Sequence, residues 1–314
     1  MSQDIVIGIS ACLLGENVRF DGGSKTSQFC VSELEQHVRY QAFCPEVAVG
    51  LPVPRKTIRQ IRQGDVIRVS RPDGTGDVTE ALAAYGKKVA QLASGFSGYV
   101  FCAKSPSCGM ERVKIYDADG QALPANGTGV FANEIIKANP LLPCEENGRL
   151  NDAVLRENFI ARVFVYHSWR MLTASGLSRH KLMSFHSRHK YMLMSHDLLA
   201  LKSLGRLLAD DTLTLDEMAG RYISGLMAAL KKTATRKKHV NTLQHLQGYF
   251  SRQLTKAQRQ ELTEQIDDYR KGLLPLMAPL TLIKHYLLSY PQAYLAQQTY
   301  LTPHPAQLKL RYGF

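Results

Sequence analysis

At 314 residues, 45% hydrophobic and 21% charged, the chain has the composition of a soluble globular protein of one large domain or two ordinary ones. It holds no apolar run of membrane-spanning length, and its six cysteines, spread without any Cys-x-x-Cys pair, exclude a disulfide scaffold and weaken a zinc-ribbon reading. The net charge of +12 is uneven: residues 1–150 hold 16 Lys+Arg and 16 Asp+Glu, whereas residues 151–314 hold 23 and 11, with nine of the ten histidines. A neutral half joined to a basic half points to chemistry in the first and polyanion binding in the second. Asp4, close to the start, argues against a signal peptide, so a cytoplasmic location is expected.

Residues 5–11 read as a buried parallel strand, continuous in Ile and Val, ending at Cys12 with Gly15 beyond. Residues 19–25 are turn chemistry, whose charges either line a pocket or form a solvated loop. Ser32 reads as the cap of a short helix over 32–38, with Glu35 three residues on, and the next strand covers 40–44. Cys44 then opens Cys44-Pro45-Glu46-Val47, followed by Gly50, Pro52 and Pro54-Arg55. A strand at 66–69 and an amphipathic helix at 79–94 lead to the strand 98–103. The hexapeptide Lys104-Ser105-Pro106-Ser107-Cys108-Gly109 follows, where Pro106 biases Ser105 away from helix and Gly109 permits a tight turn. A strand at 113–116 and a helix at 131–138 complete this half. Strands alternating with helices predict an α/β, Rossmann-like domain with a largely parallel sheet over residues 1–148.

Residues 141–151, with a proline, a glycine and paired glutamates, read as a linker. Residues 149–314 then carry helical periodicity only, at 154–172, 181–208, 215–231, 235–250, 256–269 and 273–290, which predicts an all-α domain. Two basic runs stand out in it. Arg188 and Lys190 lie in one, and Arg236, Lys237, Lys238 and His239 in the other, interleaved with Tyr and Asn as suits phosphate contacts and base stacking. Either run alone also reads as a solvated helix face.

Cys12, Cys44 and Cys108 share one build: each sits in a Gly- or Pro-marked loop beside a strand. Three strand-exit loops can converge at one edge of a sheet, and soft thiolates there suit an iron–sulfur cluster. Three thiolates on a cubane leave its fourth iron open, a Lewis acid able to take a thiocarbonyl sulfur. Glu46 is near enough to Cys44 to act as general base, and Ser105 and Lys104 are near enough to Cys108 to orient substrate or answer developing charge. From spacing alone, Glu46 also reads as a helix-start acid, Lys104 as a surface charge, and Ser105 and Ser107 as turn residues. Cys102 reads as a small core residue, and Cys30 and Cys144 as bystanders.

On the stretches Ser10 to Gly15, Arg19-Phe20-Asp21-Gly22, Cys44-Pro45-Glu46, Pro54-Arg55 and Lys104 to Gly109, the first half resembles the thiouracil desulfurase (TudS) family. The resemblance implies a [4Fe-4S] cluster on Cys12, Cys44 and Cys108, and removal of sulfur from a thiolated uracil without net redox, with Glu46 and Ser105 near the substrate. Val18 and Phe20 stand where that family often has Cys and Tyr, so no fourth ligand is expected around Val18. The second half resembles the YbgA-like helical domain, on Phe185 to Tyr191, Thr235 to Tyr249, Gly272 to Leu276 and Tyr300 to Pro305. The fused arrangement is similar to that of desulfidases acting on 4-thiouridine in tRNA. It implies thiolated tRNA as the partner of the basic half; neither a membrane nor an obligatory protein partner is expected.

Overall fold

The computed structural model describes residues 5–311, of which 125 and 126 are described by their backbone alone. The chain divides between Asp152 and Ala153 into two units.

The first unit holds two four-stranded sheets. Strands β1 (Val6–Ser10) and β2 (Arg39–Phe43) follow the expected segments, but between them the short helix α1 is Gln28–Ser32, ahead of the predicted position. Helix α2 (Pro45–Ala48) starts directly after Cys44, with Pro45 in its first turn where a missing N–H costs nothing. The hairpin β3 (Arg59–Gln63) and β4 (Val66–Ser70) follows, turned at Gly64 with φ +59°. Then come α3 (Thr79–Leu92), β5 (Gly98–Phe101), β6 (Val113–Tyr116), β7 (Ala122–Gly127), α4 (Val130–Ala138) and β8 (Cys144–Glu146).

The first sheet runs β2-β1-β5-β8 with every pair parallel. Its two central strands carry no charge and are apolar but for Ser10, because parallel strands covered on both faces have no side to turn to water. Gly8 makes room for the ring of Tyr99 on β5: a Cβ there would stand 2.3 Å from Cδ2. Tyr99, fully buried, stacks on Phe101 at 4.2 Å and meets Phe131 of α4 edge-on. The second sheet, β4-β3-β6-β7, mixes parallel and antiparallel pairs and was not foreseen from the sequence. The linker reading of residues 141–151 is corrected: β8 lies within it as the fourth strand of the first sheet, and the break between units comes only after Asp152.

The second unit is helical, with α5 (Ala153–Ala174), α6 (Arg179–His196), α7 (Leu198–Leu208), α8 (Leu215–Lys231), α9 (Arg236–Gly248), α10 (Lys256–Lys271), α11 (Met277–Ser289) and the short α12 (Ala293–Ala296). Residues 181–208, read as one helix, are two: Asp197 takes an extended conformation and its carboxylate caps α7 through the Leu199 and Ala200 N–H groups, both at 3.0 Å. Thr214 with Glu217, and Thr255 with Gln258, form reciprocal capping boxes that start α8 and α10. The core gathers Phe159, Phe185, Tyr222, Leu243, Phe250 and Leu280. A polar network is buried beside it: Arg311 pairs with Glu157 at 2.7 Å and donates to the Tyr300 carbonyl at 2.6 Å, while His239 Nδ1 meets the Tyr300 hydroxyl at 2.9 Å. Among the described residues no helix is long and apolar enough to cross a membrane.

Two histidines of this unit are buried neutral. Burial pushes His189 down to about 4, with Arg188 and His186 adding to the effect, and pushes His239 down to about 3, with Arg311 nearby. Both folded-state values lie below the ordinary 6.5, so between them and 6.5 the unfolded chain binds more protons than the folded one. The stability they contribute is complete above pH 6.5 and falls as the pH drops through the window, by at most about 1.4 kcal/mol per pH unit for each histidine. The urea midpoint of the helical unit's unfolding is expected to fall from pH 7 to pH 4.5. A midpoint independent of pH, or one that rises in acid, would mean that these rings are protonated in the fold.

Candidate active site

Three neighbouring strands end at one edge of the first sheet, and each delivers a cysteine there. Cys12 lies in a single 3-10 turn after β1, closed by Gly15 at φ +95°. Cys44 follows β2 as the residue that caps α2. Cys102 comes directly after β5, and the hexapeptide carries Cys108 back to the same place. All four thiols line one cavity of about 310 Å³, together with Arg19, Lys25, Glu46, Arg55, Lys104 and Ser105. This is the crevice at the carboxyl ends of parallel strands where open α/β sheets bind ligands.

The Cys108 loop is built to a fixed shape. Ser105 Oγ accepts the N–H of Cys108 at 3.1 Å and of Ser107 at 3.3 Å, and Gly109 N–H closes onto the Ser105 carbonyl at 2.8 Å. The amino end of α4 holds it from below: Gly129, Val130 and Ala132 donate to the carbonyls of Gly109, Pro106 and Ser107. That approach needs glycine, since a Cβ on Gly129 would come within 2.4 Å of the Ser107 carbonyl oxygen. Gln60, buried on β3, donates to the Pro106 carbonyl at 3.1 Å, so the second sheet also braces the loop. Lys104 occupies the left-handed region at φ +65°, a conformation a non-glycine residue holds only where its surroundings impose it.

Glu46 is fastened on both sides. Its Oε2 accepts from Arg55 Nη2 at 2.6 Å and Nε at 3.0 Å, and Oε1 accepts from Ser107 Oγ at 2.6 Å, with Ser105 Oγ at 3.4 Å. The two serine hydroxyls are 2.9 Å apart. A continuous chain therefore runs from Ser105, which faces the cavity, through fully buried Ser107 to Glu46 and Arg55. The sequence left the two serines unseparated; the structure gives Ser107 the direct bond to Glu46 and Ser105 the face toward the cavity. In the sequence Arg55 is legible only as part of Pro54-Arg55 beside the Cys44 loop. Its partner lies nine residues earlier, across a proline-rich turn that spacing does not resolve.

Burial and their own proximity shift the four thiols in different directions. Burial drives Cys108 and Cys44 upward; the neighbouring Cys102 and then burial drive Cys12 upward. Cys102 is held down to about 7 by the hydrogen bond from Cys12 and by Lys25 and Arg19. Ser10 joins two of the loops, its hydroxyl accepting the Cys102 N–H at 3.0 Å and hydrogen bonding to the Cys108 sulfur. Cys102 is buried, as its core reading has it, and it also lines the cavity as a fourth thiol beside Cys12. Cys30 is buried apart, beneath Tyr40, and Cys144 belongs to β8. Among the described residues no three His, Cys, Asp or Glu side chains converge on a point where a single metal ion would sit. The soft, oxygen-poor donor set fits a polynuclear iron–sulfur group, whose irons take their thiolates at separate corners.

Residues 7–147 match the family described as 2-thiouracil desulfurase, and residues 190–305 match a family described as a protein of unknown function, DUF1722. A curated relative, the uncharacterized protein YbgA of Escherichia coli (strain K12), is 35% identical over 159 residues, covering 50% of this chain and 94% of its own length. The chain is a 2-thiouracil desulfurase domain joined to a YbgA-like domain. A solved structure titled [4Fe-4S]-dependent thiouracil desulfidase TudS is similar at 29% identity and a TM-score of 0.36, covering 48% of this chain and 93% of that one.

The YbgA-like domain divides the predicted RNA-contact residues. Arg188 and Lys237 are exposed, and Lys190 and Arg236 are half-buried, poised over the rings of Tyr191 and Tyr269 at 5.8 and 5.5 Å. Lys238 is turned inward, its Nζ donating to the His196 carbonyl at 2.5 Å. His239 is corrected outright: 7% exposed and bonded to Tyr300, it belongs to the core and presents nothing to a polyanion.

Proposed function

We propose that this protein is a [4Fe-4S]-dependent desulfidase that converts 4-thiouridine in tRNA to uridine and releases sulfide without net electron transfer. The observation that carries the reading is the meeting of Cys12, Cys44 and Cys108 with Glu46 and Ser105 around one cavity, in a chain half that belongs to the 2-thiouracil desulfurase family. The three thiolates of Cys12, Cys44 and Cys108 would hold the cluster, which supplies when bound an open Lewis-acidic iron with affinity for sulfur. Glu46 takes a proton from the attacking water, and Ser107 and Ser105 carry hydrogen bonds from its carboxylate to the cavity. Arg55 fixes the carboxylate's orientation. Exchange of C=S for C=O with water yields uridine and hydrogen sulfide, so atoms balance with no oxidant or reductant.

The cavity favours a substrate that carries phosphate. Besides the Arg55–Glu46 pair, Arg19, Lys25 and Lys104 line it, cations able to meet a phosphate that free thiouracil lacks. The charge of the second half, 23 Lys+Arg against 11 Asp+Glu over residues 151–314, supports a polyanion as large as tRNA, from which the target nucleotide is unstacked to reach the cavity.

The test is anaerobic incubation of the reconstituted protein with bulk tRNA, following 4-thiouridine by mass spectrometry, together with the salt dependence of tRNA binding. Loss of the nucleoside and a steep fall of affinity with salt are expected. Turnover of free thiouracil or a thiouridine nucleotide but not of tRNA, or a flat salt response, would remove the tRNA part. Turnover of none of these substrates would leave a cluster-bearing RNA-binding sensor.

A further inference from the structure

Residues 104–109 leave β5 and return toward β6, so the loop bearing Cys108 has two ends to be fixed. Both are held by consecutive residues at the exit of β8. At the first end, Asn147 Oδ1 accepts the Ala103 N–H at 2.9 Å while the Asn147 N–H donates to the Phe101 carbonyl at 3.1 Å. At the second, Glu146 Oε1 accepts the N–H groups of Met110 at 2.7 Å and Glu111 at 3.3 Å. Glu146 is only 5% exposed, and a carboxylate so buried is tolerated where backbone donors replace water. Arg149 braces the same turn, bonding Glu145 at 2.5 Å and Glu111 at 3.0 Å.

We propose that Glu146 and Asn147 form a clamp that sets Cys108, and with it Ser105 and Ser107, against Glu46, Cys12 and Cys44. They are positioning residues for the desulfidase reaction, and the assignment rests on that reading of the site. β8 thereby does more than complete a sheet: its last residue and the next one fix where the loop starts and where it stops.

The experiment compares Glu146→Ala, Glu146→Gln, Asn147→Ala and Asn147→Asp in the full chain. In metal-free protein, alkylation of Cys108 by iodoacetamide is timed by peptide mass spectrometry, with Cys30 as internal reference and thermal melts as the check on folding. Each alanine variant is expected to expose Cys108 roughly tenfold faster, as loss of hydrogen bonds to a buried acceptor lowers the cost of local opening. Glutamine and aspartate keep an acceptor oxygen and are expected to restore the slow rate. After anaerobic reconstitution, the electron paramagnetic resonance signal of the reduced cluster is expected to shift or broaden in the alanine variants and to return in the conservative ones. Should Glu146→Ala fail to fold, Asn147→Ala, which removes a single bond, carries the comparison. Alanine variants with wild-type labelling and wild-type spectra overturn the clamp, as do conservative variants that behave like alanine. A wild-type protein that desulfurates nothing while the labelling follows this pattern would remove the proposed reaction and leave the clamp standing.

Discussion

Cys108→Ala is expected to strip the protein of its cluster and of all turnover while leaving the fold in place. Cys108 is 6% exposed and stands at the end of a loop whose carbonyls are held by α4 and whose shape is set by Ser105, Gln60 and Gly109, none of which needs the sulfur. On the proposed ligand set, losing the thiol leaves only Cys12 and Cys44, with Cys102 adjacent to Cys12 rather than in Cys108's place. Iron per chain after reconstitution should drop to background, with the melting temperature little changed. Cys102→Ala provides the contrast, since its iron content is expected to match that of the unaltered protein. Full iron in the Cys108 variant together with its loss in the Cys102 variant would reassign the ligand set.

Glu46→Gln separates chemistry from assembly. The amide has the size of the carboxylate and is not a cluster ligand, so iron content should stay at its full value. It cannot accept the proton of an attacking water, and kcat is expected to fall by roughly 10²- to 10⁴-fold with KM little moved. There is a structural cost as well. Arg55, whose side chain is 5% exposed, loses its anionic partner, and breaking a buried pair costs of order 3 kcal/mol. A stability loss of that size with kcat within severalfold of wild type would make Glu46 an anchor for Arg55 and move the base elsewhere.

The parts of the site that sequence made legible are those written in local punctuation. Cys12, Cys44 and Cys108 each come after a strand-like segment and sit among Gly and Pro, so their place in strand-exit loops is readable from the sequence. What escaped depends on partners distant in the chain. Cys144-Glu145-Glu146 does not read as a strand because two acids in a buried strand make sense only once Arg149 and the N–H groups of Met110 and Glu111 are seen to answer them. Cys102 abuts an apolar strand and is buried with it, and nothing in its neighbours shows that Cys12 lies beside it. The break at Asp197 hides in a run of good helix formers, with one capping carboxylate as its only signal. His239 lies in a basic run, and only Tyr300, 61 residues on, shows that it faces inward.

The order of strands in the first sheet also governs how the protein is made. β5 pairs with β1 on one side and with β8 on the other, and β8 is the last strand of the desulfurase domain in the chain. A nascent chain that has exposed residues only as far as 143 therefore displays β5 with one edge unsatisfied, an invitation to pair with another chain. The desulfurase domain cannot close until residues 144–147 are available, so its folding as a unit waits on the last stretch before the helical half. Truncations meant to isolate the catalytic half must keep residues 144–147, and a chain cut just before them should emerge from the ribosome prone to aggregation rather than merely inactive.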